Sequence, residues 1–201
     1  AFNQVQLQHL HLTARRAQRF QQLGTYLLFP QATARGGEAS LRQNRQGQSG
    51  LWRYGISGDR PIVLVKIADA EYRDFIRDVL QAREYWDRHG LPVDVVILNQ
   101  NPGSYLDALQ EQLQQLVQEN PPRTGGDRNA VFILRGAQIA QEDVWLVEAV
   151  AAIVLEARFG WASLKTPSPA DDERKRRPSR SARNTAPSLP LATLLERNSR
   201  T

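Results

Sequence analysis

The chain has 201 residues, of which 41% are apolar and 23% charged, the make-up of one ordinary globular domain with room for a tail. It holds no cysteine and no methionine, which excludes disulfides, thiolate metal sites and a cysteine nucleophile, and no apolar run reaches the ~20 residues of a membrane helix. The formal charge of +5 lies wholly in residues 165–201, which carry nine basic and four acidic side chains, so the rest of the chain is balanced and a nucleic-acid-binding body is not indicated.

In chain order, Thr13 offers a cap for a helix whose apolar residues Ala17, Phe20, Leu23 and Leu27 recur at helical spacing until Pro30 stops it. Residues 1–30 therefore read as an N-terminal helical segment. Residues 31–60 form a Gly-rich connection, with no periodicity through residue 50 and glycines at 47, 50, 55 and 58. The body spans 61–164. Its runs "PIVLVKI", "VDVVIL" and "AVFIL" are β-branched without polar alternation, as expected for strands covered on both faces.

Helical stretches separate these runs. The first, from about Ala70 to His89, has Asp69 as cap, Gly90 past its end and a stripe of Tyr72, Phe75, Ile76, Val79 and Trp86. The second follows "NPGS", with Ser104 as cap. A third, roughly Glu142 to Arg158, is apolar nearly all round and is expected to be the most buried. The order predicts a small α/β unit with a parallel three-stranded sheet, flanking helices and a packed N-terminal helix. Residues 165–201, rich in Pro, Ser and Arg, are expected to be a disordered linker, with the run Arg174–Arg177 solvated beside Asp171–Glu173.

"GLWRYGISGDRPIVLVKI", "AREYWDRHGLPVDVVILNQNPGSYLDALQEQLQQLV" and "AVFILRGAQIAQEDVWLVEAVAAIVLEA" together resemble the cyclic β-1,2-glucan synthases, across about residues 2–164. The resemblance implies a segment of a very large bacterial inner-membrane glycosyltransferase, in a region related to glycoside hydrolase family 94 and glycosyltransferase family 36. It also implies carbohydrate-binding sandwich domains as neighbours and a Pro-rich linker after the segment. With no methionine and an opening at Ala1, the chain reads as a fragment of such a protein. On this resemblance it is a cytoplasmic, non-catalytic module between those domains, its partners being the neighbouring domains and, as the alternative, β-1,2-glucan itself. The family's catalytic motifs fall outside the segment.

The residues point the same way. There is no P-loop and no dinucleotide fingerprint, which disfavours an independent α/β nucleotide-binding enzyme, and no cofactor is expected. "GISGD" precedes a strand, whereas a nucleophile elbow follows one, so Ser57 is a poor nucleophile. His9 and His11 sit in the N-terminal region and His89 in the last turn of a helix, where the dipole favours a cation, and no metal is expected. Asp59 and Asp94 are the only acids flanking strands, too little for paired-carboxylate glycosidic chemistry.

The candidate sugar contacts are Trp52, Tyr54 and Asp59 in the Gly-rich loop, and Asn99 at the carboxyl end of the second strand, where α/β folds place ligands. The favoured alternative is that Trp52 and Tyr54 wedge against the sheet, with Trp52 largely buried and Asp59 bracing the turn before Pro61.

Overall fold

The computed structural model describes residues 12–29, 34, 37–102, 108–120 and 131–164, all within one compact unit spanning Ala1–Thr166. The helices are α1 (Ala14–Leu28), α2 (Glu38–Gln43), α3 (Ser49–Trp52), α4 (Arg73–Arg88), α5 (Ala108–Glu119) and α6 (Gln141–Val150). The strands are β1 (Ile62–Ile67), β2 (Asp94–Asn99), β3 (Val131–Arg135) and β4 (Ile153–Glu156).

Thr13 caps α1 by accepting from the Arg16 amide. Asp69 accepts from the Glu71 amide in the 3-10 turn that leads into α4. Gly90, with φ 76°, ends α4 in the left-handed conformation that favours glycine. The proposed Ser104 cap, His9, His11 and the tail from residue 165 lie outside the described residues.

The sheet is wholly parallel with order β3-β2-β1-β4. The α/β class and the parallel pairing agree with the sequence, but the sheet has four strands where three were expected. The third helix stops at Val150, and Ile153–Glu156, expected to continue it, forms β4 beside β1. Its helical periodicity was an accident of composition: "AAIVLEA" is apolar enough to fill a helical face, yet Ile153 and Val154 are β-branched and an open edge of β1 was available to them. Nor is the connection before β1 irregular throughout. It contains α2 and α3, and the Ala34 carbonyl accepts from the Val154 amide at 2.8 Å. Helices of six and four residues are too short to display a period.

Alternate strand residues feed two apolar layers. Val63, Val65, Ile67, Val95 and Ile97 pack with Phe20, Leu23, Leu27, Ile76, Val79, Trp86, Leu109 and Leu113, which come from α1, α4 and α5. Ile62, Leu64, Val96, Leu98 and Leu134 pack with Leu51, Ile56, Leu146 and Val147 on the other side. Right-handed crossovers require this split, since the chain steps outward from β1 to β3 and then returns past β1 to β4 through α6. The reversal falls between β1 and β4, and the carboxyl ends of those strands are where such folds usually hold ligands.

Polar ties fix α1 on α4: the Trp86 indole donates to the Phe20 carbonyl at 2.7 Å, and Arg16 donates to Gln81 Oε1 at 2.7 Å. No helix among the described residues is long and apolar enough to cross a membrane.

Candidate functional site

At the reversal between β1 and β4, Lys66 pairs in register with Glu156. Its ammonium contacts Glu156 at 2.8 Å and Glu148 of α6 at 2.9 Å, and the Ser40 hydroxyl of α2 donates to the other Glu148 oxygen. Burial alone would lower the Lys66 pKa. The hydrogen bonds and charges of the two carboxylates outweigh it and leave the net shift upward, so Lys66 is a cation at neutral pH. Each carboxylate is thereby tied to the same ammonium, an arrangement that locks α2 and α6 onto the sheet.

Asp143, in the first turn of α6 and only 2% exposed, anchors the Gly-rich segment. It accepts from Tyr54 Oη at 2.6 Å, Gln46 Nε2 at 2.8 Å and Arg53 Nη1 at 3.2 Å. Burial pushes its carboxyl up, but the hydrogen bonds from Tyr54 and Gln46 and the Arg53 charge hold it below its ordinary value. Tyr54 is pushed up to about 12, first by burial and then by its bond to Asp143.

The loop also closes on itself. Gln48 Nε2 donates to the Ser57 carbonyl at 2.7 Å and to Asp59 at 3.2 Å, and the Asp59 amide donates to Ser57 Oγ at 3.2 Å. Gly58 has φ 78°, and a Cβ there would sit 2.9 Å from Gln48 Cγ, so the turn needs glycine.

The four residues singled out from sequence separate on this scaffold. Asp59 is exposed and braces the loop as expected. Tyr54 is half-buried and packs against the second layer. Trp52 does not wedge against the sheet. It is 63% exposed and is held by one hydrogen bond, from its Nε1 to the Ser57 carbonyl at 3.3 Å. The reason is registry: in the single turn of α3, Leu51 takes the inward position and Trp52, one residue on, must point outward. Asn99 is 1% exposed and bonds Gln110 of α5 and the Asn101 amide. Gln110 sits on the helix that lines the first layer, whereas Tyr54 packs on the second, so the structure does not bring Asn99 to the loop.

Ser57 lies in the turn, bonded to the Asp59 amide. His89 ends α4 with Nδ1 2.7 Å from the Tyr85 carbonyl. Among the described residues no cluster of His, Cys, Asp or Glu is arranged to hold a metal ion. Asp94 is buried with Arg60 nearby at 3.8 Å, and nothing places Asp59 across a shared substrate position from it.

Sequence reasoning passed over Lys66, Glu148 and Asp143. A signal existed for Lys66: a lone cation inside a strand otherwise buried on both faces demands a partner. Asp143 gave none, since an acid in a first helical turn is ordinary.

No known protein-family model matches the chain. It is 33% identical over 165 residues to the cyclic β-(1,2)-glucan synthase NdvB of Rhizobium meliloti (strain 1021). The alignment covers 80% of the chain and 6% of the length of that protein. Over that stretch, which takes in most of its residues, the chain is related to this cyclic β-1,2-glucan synthase.

Proposed function

We propose that the chain is an α/β module of a cyclic β-1,2-glucan synthase and that it supports the glucan machinery without performing glycosyl transfer itself. Its partners on this reading are the neighbouring domains of a longer, inner-membrane protein, and the module faces the cytoplasm. The observation that carries the supporting role is the Lys66, Glu148 and Glu156 cluster. At the sheet position where α/β enzymes hold substrate, the two carboxylates bracket an ammonium. Glycosidic chemistry needs them to face one another across a bond.

Incubation of the chain with a nucleotide-glucose donor and β-1,2-linked oligosaccharides tests this, and no turnover is expected. Turnover abolished by Lys66→Met or Glu156→Gln would overturn it. The exposure of Trp52 favours a second reading, in which the indole stacks on a sugar ring while Asp59 accepts from its hydroxyls. That reading requires Trp52→Ala to weaken glucan binding in calorimetry.

A further inference from the structure

An open groove of about 730 Å³ runs beside the C-terminal half of α1, lined by Arg19, Gln22, Thr25, Tyr26, Trp161 and Leu164 among others. Its volume is in the range of small-molecule sites. None of its residues belongs to the Trp52 loop or to the Lys66 cluster. Resting on the reading of the chain as a glucan-synthase module, we infer that this groove binds a β-1,2-linked glucan chain.

Two features carry the inference. The first is a fixed aromatic wall. Trp161 lies in the 3-10 segment Ala157–Ser163, where its Nε1 donates to Asp78 at 2.5 Å. Its ring meets Phe75 edge-on at 5.0 Å and lies 5.9 Å from Phe20. An indole held from several sides loses little rotamer freedom when a sugar face packs on it.

The second is the polar rim. Arg19, Gln22 and Thr25 are exposed on α1, and Arg19 has no carboxylate partner among the described residues. The Thr25 hydroxyl donates to the Gln22 carbonyl at 2.6 Å, leaving its oxygen lone pairs for a donor. Together they offer a forked donor, an amide that both gives and takes, and an acceptor, the mixture that neighbouring hydroxyls of a neutral polyol can satisfy.

Calorimetric titration of the 201-residue chain with linear and cyclic β-1,2-glucans decides it, with β-1,4-linked glucan as control. Arg19→Ala and Gln22→Ala alter exposed helix positions and leave the fold intact by thermal melting, so loss of binding reports on the groove. The expected result is β-1,2-glucan binding weakened about tenfold or more in each variant, a difference well resolved in the binding constant, with Trp52→Ala unchanged. Trp161→Phe, which keeps a ring but gives up the bond to Asp78, is expected to weaken it less than Trp161→Ala.

Binding lost in Trp52→Ala and untouched in Arg19→Ala and Gln22→Ala would overturn the groove and leave the Trp52 contact standing. Equal binding of the β-1,4-linked control would overturn the ligand assignment, and absence of binding by the unaltered chain would overturn the groove outright. The supporting-module reading answers separately to the turnover assay.

Discussion

Trp161 and Trp52 lie near the surface on opposite layers of the sheet, and the protein holds them by different means. Trp161 is clamped by ring contacts with Phe75 and Phe20 and by the carboxylate of Asp78. Trp52 projects from one turn of helix, with a single hydrogen bond to a loop carbonyl. Its rigidity is borrowed from its neighbours: Leu51 buried beside it, Tyr54 anchored on Asp143, and Gln48 closing the turn. An aromatic can thus be presented either by packing the ring or by bracing the backbone beneath it. The two modes respond in opposite ways to mutation.

The largest effect separating them is expected at Trp161. Trp161→Ala removes a half-buried ring, its edge-on partner and a bond that leaves Asp78 unpaired on that side. The cost should be about 2–3 kcal/mol, below that of a fully buried tryptophan. Urea denaturation measures it. A change under about 0.5 kcal/mol, the size of an ordinary surface substitution, would show that the clamp contributes nothing.

Next comes the anchor of the other loop. Asp143→Ala strips the acceptor from Tyr54, Gln46 and Arg53 at once, and a cost of about 2 kcal/mol is expected, chiefly from the half-buried Tyr54 and Gln46 donors left without a partner. The pH dependence sharpens the attribution. Because the folded Asp143 carboxyl is held below its ordinary 3.8, its contribution is complete above that value and is lost as pH falls through the lower, folded pKa. At the alkaline end Tyr54, raised from 10.0 to about 12, adds a loss of stability as pH climbs past 10.0. Asp143→Asn should flatten the acid limb of a stability-against-pH curve. An unchanged limb would mean another carboxylate governs it.

Gly58→Ala is expected to cost about 1–2 kcal/mol. The left-handed φ penalises any side chain, and the new Cβ would press on Gln48, the residue that closes the turn. Thermal unfolding checks this, and a neutral result would show the loop free to rearrange.

How far the sequence disclosed these features follows from the range over which each is encoded. The strands β1 to β3 and helices α1 and α4 were legible, because burial on both faces and a 3.6-residue stripe are local patterns. β4 was not, because whether "AAIVLEA" continues a helix or joins a sheet depends on the open edge of β1, which sits almost ninety residues away in the chain. The loop was marked by its glycines, but the orientation of Trp52 turned on a one-residue offset from Leu51, below the resolution of pattern reading. The groove was invisible. Its lining comes from residues 19–26 and 161–164, and nothing in either segment by itself announces the other.

The smallest expected effect is also the most discriminating. Trp52→Ala should change stability by no more than about 0.5 kcal/mol, since the ring is 63% exposed and its one bond is to a carbonyl that Gln48 already serves. A single exposed indole is ordinary on a protein surface, and its exposure by itself assigns it no role. Stability alone therefore cannot supply its purpose, and the informative measurement pairs the melt with binding. If Trp52→Ala melts like the unaltered chain and loses affinity for β-1,2-glucan, the braced backbone is a presentation device. If it melts the same and binds the same, the loop's bonds to Asp143 are what matter, and Trp52 is a surface residue whose partner is not this sugar. A drop of about 3 kcal/mol, the value for a buried aromatic, would contradict its position outright and restore the wedge against the sheet.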